Sequence, residues 1–445
     1  METPSTLRIV PQKKPLAGTI HVPGDKSISH RAVILAAVAD GISTIRNWLP
    51  AGDTLATLDA VRALGVQVEI DKHSNQTWDL EIKGQGLQGL VQPTDALNLR
   101  NAGTGLRLMA GLMAGQDFPV VLDGSSQLRK RPMRRIIDPL TAMGAKITSV
   151  ENRVPLHIQP APLYGIRYEM NVASAQVKSA ILLAALYATG ETHIFQPGPA
   201  RDHTERMLRA AGVPVEEEGN WIRLKKGGGG IRELQPLDLT VPGDVSSAAF
   251  PLVAAAIVPH SQVTIVNIGA NDTRTGLFDM LRAMGASFTI TNERITGGEP
   301  AVDLTVRFDE LHATDVSGAT VVRGIDEFPI WAVAATQAAG VSLVQDAAEL
   351  RVKEVDRISV LAGELLKMGV PIQENDDGFT IAGPLRLSGA EVNSHDDHRL
   401  AMSLAVAGLV ASSDSLVHDA GCARDSFPGF VETMQQLGAQ MMWET

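Results

Sequence analysis

The chain has 445 residues, 44% of them hydrophobic and 20% charged, with a formal net charge of −11; it is globular in composition and longer than one hydrophobic core organises, so two or three domains are expected. The acidic balance and an aromatic content of only 4% speak against nucleic acid or an anionic membrane as the main partner. A single cysteine, Cys422, excludes an internal disulfide and a thiolate metal cluster; no metal-ligand spacing occurs and no run of about 18 apolar residues suits a membrane span, so a cytoplasmic protein without a metal centre is expected.

In chain order, a strand in TLRIVP comes first, followed by VPGDKSISHRAVILAA from Val22. The same phrase returns as VPGDVSSAAFPLVAAA from Val241. Both copies read as an extended entry, a turn, a helix cap and an apolar helix. Lys26, His30 and Arg31 stand where the second copy has Val245, Ala249 and Phe250, so the fold itself does not demand them. Cations at a helix start suit an anion, because free amides and the helix dipole already favour negative charge there.

Further along, LRNAGTGLRLMAG sets Asn101, Gly103, Thr104 and Gly105 before a helix with Arg107 just inside it; small residues let backbone amides close around a phosphate. SSQLRKRPMRR holds Arg129, Lys130, Arg131, Arg134 and Arg135, a run whose greater part reads as a solvated face. ASAQVKSAILLAALYA opens a helix with Ser174, Gln176 and Lys178, polar groups that suit a polyhydroxylated ligand. KKGGGG at 225–230 reads as a hairpin tip. GIDEFPIWAVAA presents Asp326 and Glu327 ahead of an apolar helix, ELRVKEVDR brings Lys353, Glu354 and Arg357 within one turn, and DDHRLAMSLAVAG places Arg399 at a helix head. Acidic groups among cations are candidates for proton transfer.

A second phrase recurs six times: an apolar helix end, a glycine, Ala or Val, then a strand. The glycines are Gly65, Gly144, Gly212, Gly285, Gly369 and Gly438, each expected in the left-handed conformation that closes a helix. Polar starts such as GDTLATL, RDHTERML, NDTRTGL and RDSFPGF precede several of these helices and are expected to cap them. The pattern predicts an α/β unit of roughly 70 residues used six times. The doubled PGD turn groups the units in threes: residues 22–240 as one domain, and residues 241–445 with the strand in 1–21 as the other.

The motifs GDKSISHR, RNAGTGLR, RPMRR, SAQVKSA, RDHTERM, DEFPI, RVKEVDR and DHRLAM, in this order and across nearly the whole chain, resemble the 5-enolpyruvylshikimate-3-phosphate (EPSP) synthase family. The resemblance implies an α/β (α+β) enolpyruvyl transferase fold, an inside-out α/β barrel of two similar domains, each of three βαβαββ units, closing on substrate. It implies transfer of the enolpyruvyl group of phosphoenolpyruvate to the 5-hydroxyl of shikimate 3-phosphate, by addition and elimination, with no cofactor and by a monomer. Carried over residue by residue, Lys26, Ser27, Arg31, Ser174, Ala175, Gln176, Arg201, Asp326 and Lys353 contact shikimate 3-phosphate. Lys26, Asn101, Gly103, Arg131, Gln176, Arg357 and Arg399 surround phosphoenolpyruvate. Asp326 is the expected base, Glu354 the acid, and Lys26 shares the proton transfers. The wording SAQVKSA and RDHTERM is similar to that of bacterial members often less sensitive to glyphosate, while Gly103 is the small residue of sensitive ones.

This chain departs from the family pattern at Asp425, where many relatives have a lysine, and at Glu349, where some have asparagine. Arg424 stands next to the first position but points elsewhere along the backbone, so the lysine's role is not carried over to it. The sister transferase acting on UDP-N-acetylglucosamine relies on a loop cysteine in its first half, whereas Cys422 lies late and reads as a packing residue. A non-catalytic clamp would not need cations and acids at eight places.

Overall fold

The computed structural model of the chain describes residues 5–74, 76–225 and 233–444; the predicted hairpin tip at 225–230 lies, except for Lys225, outside them. Six separate four-stranded sheets are formed, and none of them closes into a barrel among the described residues. All six share one plan. An edge strand runs parallel to its neighbour, and two antiparallel strands follow, as where Arg167–Glu169 pairs parallel with Thr192–Phe195 and the hairpin of Val215–Glu218 and Trp221–Leu224 completes the sheet.

The chain divides into two compact units. One is Gly24–Val241 with Ile295–Glu299; the other comprises the residues through Pro23, Pro242–Arg294 and Pro300–Thr445. The five residues Ile295–Glu299 correct the sequence expectation, which kept 241–445 whole. The strand Leu7–Ile9 pairs antiparallel with both Ser415–His418 and Met441–Trp443. Asp238–Thr240 pairs with Ile42–Trp48, and Ala17–Ile20 pairs with Gln262–Gly269.

Each unit has its own hydrophobic core. In each, three helices are buried nearly all round: Lys26–Ala37, Gly103–Met113 and Ala175–Ala185 in one, Val245–Ile257, Phe328–Thr336 and His398–Leu409 in the other. Beyond their polar starts their sequences are largely apolar on every face, as burial on every face requires. The other helix of each repeat is amphipathic and ends at one of the six glycines, whose φ values run from +82° to +103°. Each glycine amide bonds back to a carbonyl of the last helical turn, as Gly65 does to Arg62 and Gly438 to Gln435.

The capping expectation holds at the two PGD helices and fails at the polar starts of the glycine-ended helices. Asp25 and Asp244 cap the two PGD helices through the amides of Ile28 and Ser246, and Asp356 and Asp397 cap helices at Arg357 and His398. Asp202 makes no cap bond, and Ala51 rather than Asp53 occupies the cap before Gly52–Ala63. In NDTRTGL and RDSFPGF a turn intervenes, so those helices begin only at Gly276 and Phe430. No helix among the described residues is long and apolar enough to cross a membrane.

Two glycines separate strain from packing. A Cβ on Gly438 would meet nothing within 4 Å, whereas one on Gly111 would lie 2.2 Å from the carbonyl oxygen of Ala180. Gly438→Ala should therefore lower the urea-unfolding free energy by about 1–2 kcal/mol, the left-handed penalty alone. Gly111→Ala, which forces two packed helices apart, should cost more than this or prevent folding.

Candidate active site

In the unit Gly24–Val241 the buried helices bring their polar starts together. Lys26 opens its helix and donates to Asp53 Oδ2 at 3.2 Å. One turn later Arg31, only 2% exposed, donates from Nε to Thr204 Oγ1 (2.7 Å), from one terminal nitrogen to Ser179 Oγ (2.9 Å) and from the other to the Ser27 carbonyl (2.9 Å). Burial pushes the Arg31 pKa down to about 10; Glu205 and Asp25 oppose the fall and Arg201 adds to it. Ser174 caps the helix on which Ala175 and Gln176 are the first residues.

Gln176 joins two helices. Its amide oxygen accepts from Arg107 (2.8 Å) and its amide nitrogen donates to Thr104 Oγ1 (2.9 Å). A Cβ on Gly103 would stand 2.8 Å from an Arg131 terminal nitrogen and 3.0 Å from one of Arg107, so two guanidinium groups flank the bare backbone of Gly103. Asn101 Oδ1 accepts from Ser125, the cap of the short helix that leads to Arg131. Of the remaining cations of the basic run, Arg129, Lys130 and Arg134 are exposed, Arg129 paired with Asp123 and Arg134 with Asp138, while Arg135 is half-buried.

In the other unit the centre is Asp326. Its Oδ1 accepts from Lys353 Nζ at 3.2 Å and from Arg357 at 3.4 Å, and its Oδ2 lies 3.9 Å from Arg399. Arg357 also donates to Glu354 Oε2 (2.7 Å) and Asp397 Oδ2 (2.8 Å). Burial works against the charge of Arg357, but Asp397, Glu354 and Asp326 outweigh it and raise its pKa above the ordinary value. Arg399 reaches the Asp326 carbonyl (3.1 Å), Glu327 (3.4 Å) and Ser246 Oγ (3.2 Å). Ser246 in turn donates to Glu327 and accepts from Arg274, which also holds the capping Asp244.

The family model for EPSP synthase (3-phosphoshikimate 1-carboxyvinyltransferase) matches residues 10–434. The chain belongs to the EPSP synthase family. A 3-phosphoshikimate 1-carboxyvinyltransferase of Citrifermentans bemidjiense is 49% identical over 95% of this chain and 97% of the relative. An EPSP synthase structure from Acinetobacter baumannii aligns with a TM-score of 0.88 at 42% identity, over 99% of this chain and all of that one. The enolpyruvyl transferase NikO of Streptomyces tendae, at 17% identity and a TM-score of 0.80 over 99% of both chains, shares the fold.

Several residues singled out by the family motifs stand differently from the sequence reading. His30 is not a third cation. Fully buried against Thr57 Oγ1 at 2.8 Å, it is neutral, its pKa lowered to about 3 by burial and by Lys26 and Arg31. Lys178 does not face a ligand; it is fully buried beside Glu205. Lys353 and Arg357 do not share a helical face, because the helix begins only at Arg357, and Asp326 is what joins them. Arg424 lies over the Trp443 ring, 5.0 Å from its centre. Cys422 is buried beside Ser394, its thiol pushed up to about 12 mainly by burial.

Sequence reasoning missed Asp53, Ser179, Thr204, Glu205, Ser246, Arg274 and Asp397. Only Asp397 had a readable signal, as an acid directly before an apolar helix.

His30 gives a pH dependence of known sign. Its folded pKa lies below the unfolded value, so the unfolded chain binds the extra proton and stability falls as pH drops below about 6.5. Between pH 6.5 and 5.5 wild type should lose about 1 kcal/mol more unfolding free energy than His30→Gln, measured by urea titration at each pH.

Proposed function

We propose that the chain transfers the enolpyruvyl group of phosphoenolpyruvate to the 5-hydroxyl of shikimate 3-phosphate and releases phosphate, the step before chorismate in the shikimate pathway. The reading rests on family membership over residues 10–434 and, above all, on one observation: Asp326 and Glu354 are interleaved with Lys353, Arg357 and Arg399. The two substrates carry roughly six negative charges, two from each phosphate and one from each carboxylate. Such a load needs several aligned cations, and each unit supplies a set.

In this reading Lys26, Ser27, Arg31, Ser174, Ala175, Gln176 and Arg201 hold shikimate 3-phosphate together with Asp326 and Lys353. Lys26, Asn101, Gly103, Arg131, Gln176, Arg357 and Arg399 take phosphoenolpyruvate. Arg107, which shares Gln176 and flanks Gly103, belongs with the second group. All these residues come from one chain, so a monomer suffices. Diffusible anionic substrates fit a cytoplasmic setting.

The chemistry needs one base and one acid. Asp326 takes the proton of the 5-hydroxyl as its oxygen bonds to C2 of phosphoenolpyruvate. Glu354 delivers a proton to C3, which makes the methyl group of a tetrahedral ketal. In the second half the C2–O bond to phosphate breaks as the proton held by Asp326 passes to the departing phosphate oxygen, the methyl group returns a proton to Glu354, and the double bond reforms. Lys26 offsets charge on the departing phosphate and shares in the transfers. Each cation that turns to a substrate anion withdraws from Asp326, so anion binding frees that carboxylate to accept a proton.

A phosphate-release assay with both substrates tests the reading; absence of turnover, or thermal stabilisation by UDP-N-acetylglucosamine in place of shikimate 3-phosphate, overturns it. Asp326→Asn and Glu354→Gln should each lower kcat by about 10²–10⁴-fold, the usual contribution of a positioned acid or base, while near-wild-type turnover would remove the assigned role.

Gly103→Ala should fold, since the added methyl meets only the tips of flexible arginines. It should raise KM for phosphoenolpyruvate about tenfold or more, the scale of one displaced charge-assisted bond, with a smaller change for shikimate 3-phosphate.

A further inference from the structure

We propose that the buried Lys178–Glu205 pair is a positioning device for Arg31 and, through it, sets affinity for the phosphorylated cyclic substrate; this second step rests on the assignment of Arg31 made above. Lys178 Nζ lies 2.6 Å from Glu205 Oε1, and neither side chain has any exposed surface. Lys178 also donates to Gln196 Oε1 (3.0 Å) and the Ala200 carbonyl (3.3 Å). A buried ion pair is a poor source of stability, since apolar residues of similar volume hold helices together as well or better. Its retention in this place calls for another explanation, and the neighbouring residues supply one.

Lys178 is followed by Ser179, and Glu205 is preceded by Thr204. Each of the two helices thus contributes one charge to the pair and, from the adjacent position, one hydroxyl to Arg31. The hydroxyl protons can be assigned without ambiguity. Ser179 donates to the Ala175 carbonyl at 2.6 Å, so the Thr204 proton serves the 2.6 Å contact between the two hydroxyls. Both oxygens then present lone pairs to the guanidinium.

With the Ser27 carbonyl on the third N–H, Arg31 keeps one N–H on each terminal nitrogen, a fork that suits two oxygens of a phosphate. Rotating either helix by a few degrees would move its hydroxyl off this line. The charge contact, being short and fully buried, opposes any separation that such a rotation brings.

The pair also supplies the charge balance. The charge of Arg201 works against that of Arg31, and Glu205 is the strongest of the charges that favour Arg31 in its ionised form. Burial raises the Glu205 pKa and Lys178 opposes the rise; the lysine therefore helps to keep ionised the carboxylate on which Arg31 depends.

The test uses the full chain as wild type, Glu205→Gln and the double variant Lys178→Met/Glu205→Leu; the double variant leaves no lone buried charge and reports if the single one fails to fold. Two readouts are taken: solvent exchange of the Arg31 Nε–H by nitrogen-15 NMR, and KM for each substrate. The expected result is loss of Nε–H protection. With it, KM for shikimate 3-phosphate should rise about tenfold or more, as for one charge-assisted hydrogen bond, while kcat and KM for phosphoenolpyruvate stay within about threefold. A lower melting temperature with Nε–H protection and both KM values unchanged overturns the proposal, and lost protection without a KM change overturns its second step. Should wild type itself show no turnover, the proposed function falls, and the exchange measurement still decides whether the pair positions Arg31.

Discussion

A guanidinium taken out of water must be surrounded by acceptors before it can be useful, and that requirement organises both units. Arg357 meets it with charge: Asp397, Glu354 and Asp326 converge on it. Arg31 meets it with neutral oxygens, two hydroxyls and a carbonyl, the nearest acid standing behind in Glu205. The choice has chemical meaning. Carboxylates that hold Arg357 are themselves groups able to move protons, whereas hydroxyls around Arg31 orient without competing for an anion. In the proposed function the Arg357 cluster thus serves the proton transfers and the Arg31 cluster the binding of substrate.

The doubled PGD turn shows how a repeated framework diverges. Both aspartates cap their helices in the same way, which is the local task the phrase encodes. In the first copy the cations ride on the capped helix itself. In the second, where Val245 and Phe250 replace Lys26 and Arg31, the serine after the cap becomes the attachment point for Arg274, from the turn before Gly276, and Arg399, from the helix at His398. The second copy is therefore apolar in sequence but not outside the charged cluster, and the fold reaches a similar polar density at both helix starts by different routes.

What could be read from the chain alone was whatever depends on neighbours in sequence. The six helix-ending glycines were visible because a left-handed residue after a helix is a local demand, and Asp25 and Asp244 because capping spans only a few residues. The family motifs carried the candidate residues themselves. What escaped was tertiary. His30 resembled a cation until its burial against Thr57 was known, and Lys178 resembled a ligand contact until its partner, 27 positions on, proved to be Glu205. The cap assigned to NDTRTGL failed because a polar run before a helix does not say where the first turn begins, and in RDHTERML Asp202 holds the cap position but makes no cap bond.

The strand Leu7–Ile9 has an implication for biosynthesis. It lies in the middle of its sheet, between Ser415–His418 and Met441–Trp443, and the flanking bridge from Arg8 to Asp414 joins positions 406 residues apart. Made 406 residues ahead of Asp414, it waits for its partner strands to be synthesised, while Gly24–Val241 encloses most of its own contacts and can consolidate meanwhile. Closing so distant a pairing is the slow kind of folding event, so this sheet is completed late, and nascent chains carry the strand unpaired until Ser415–His418 and Met441–Trp443 have been made.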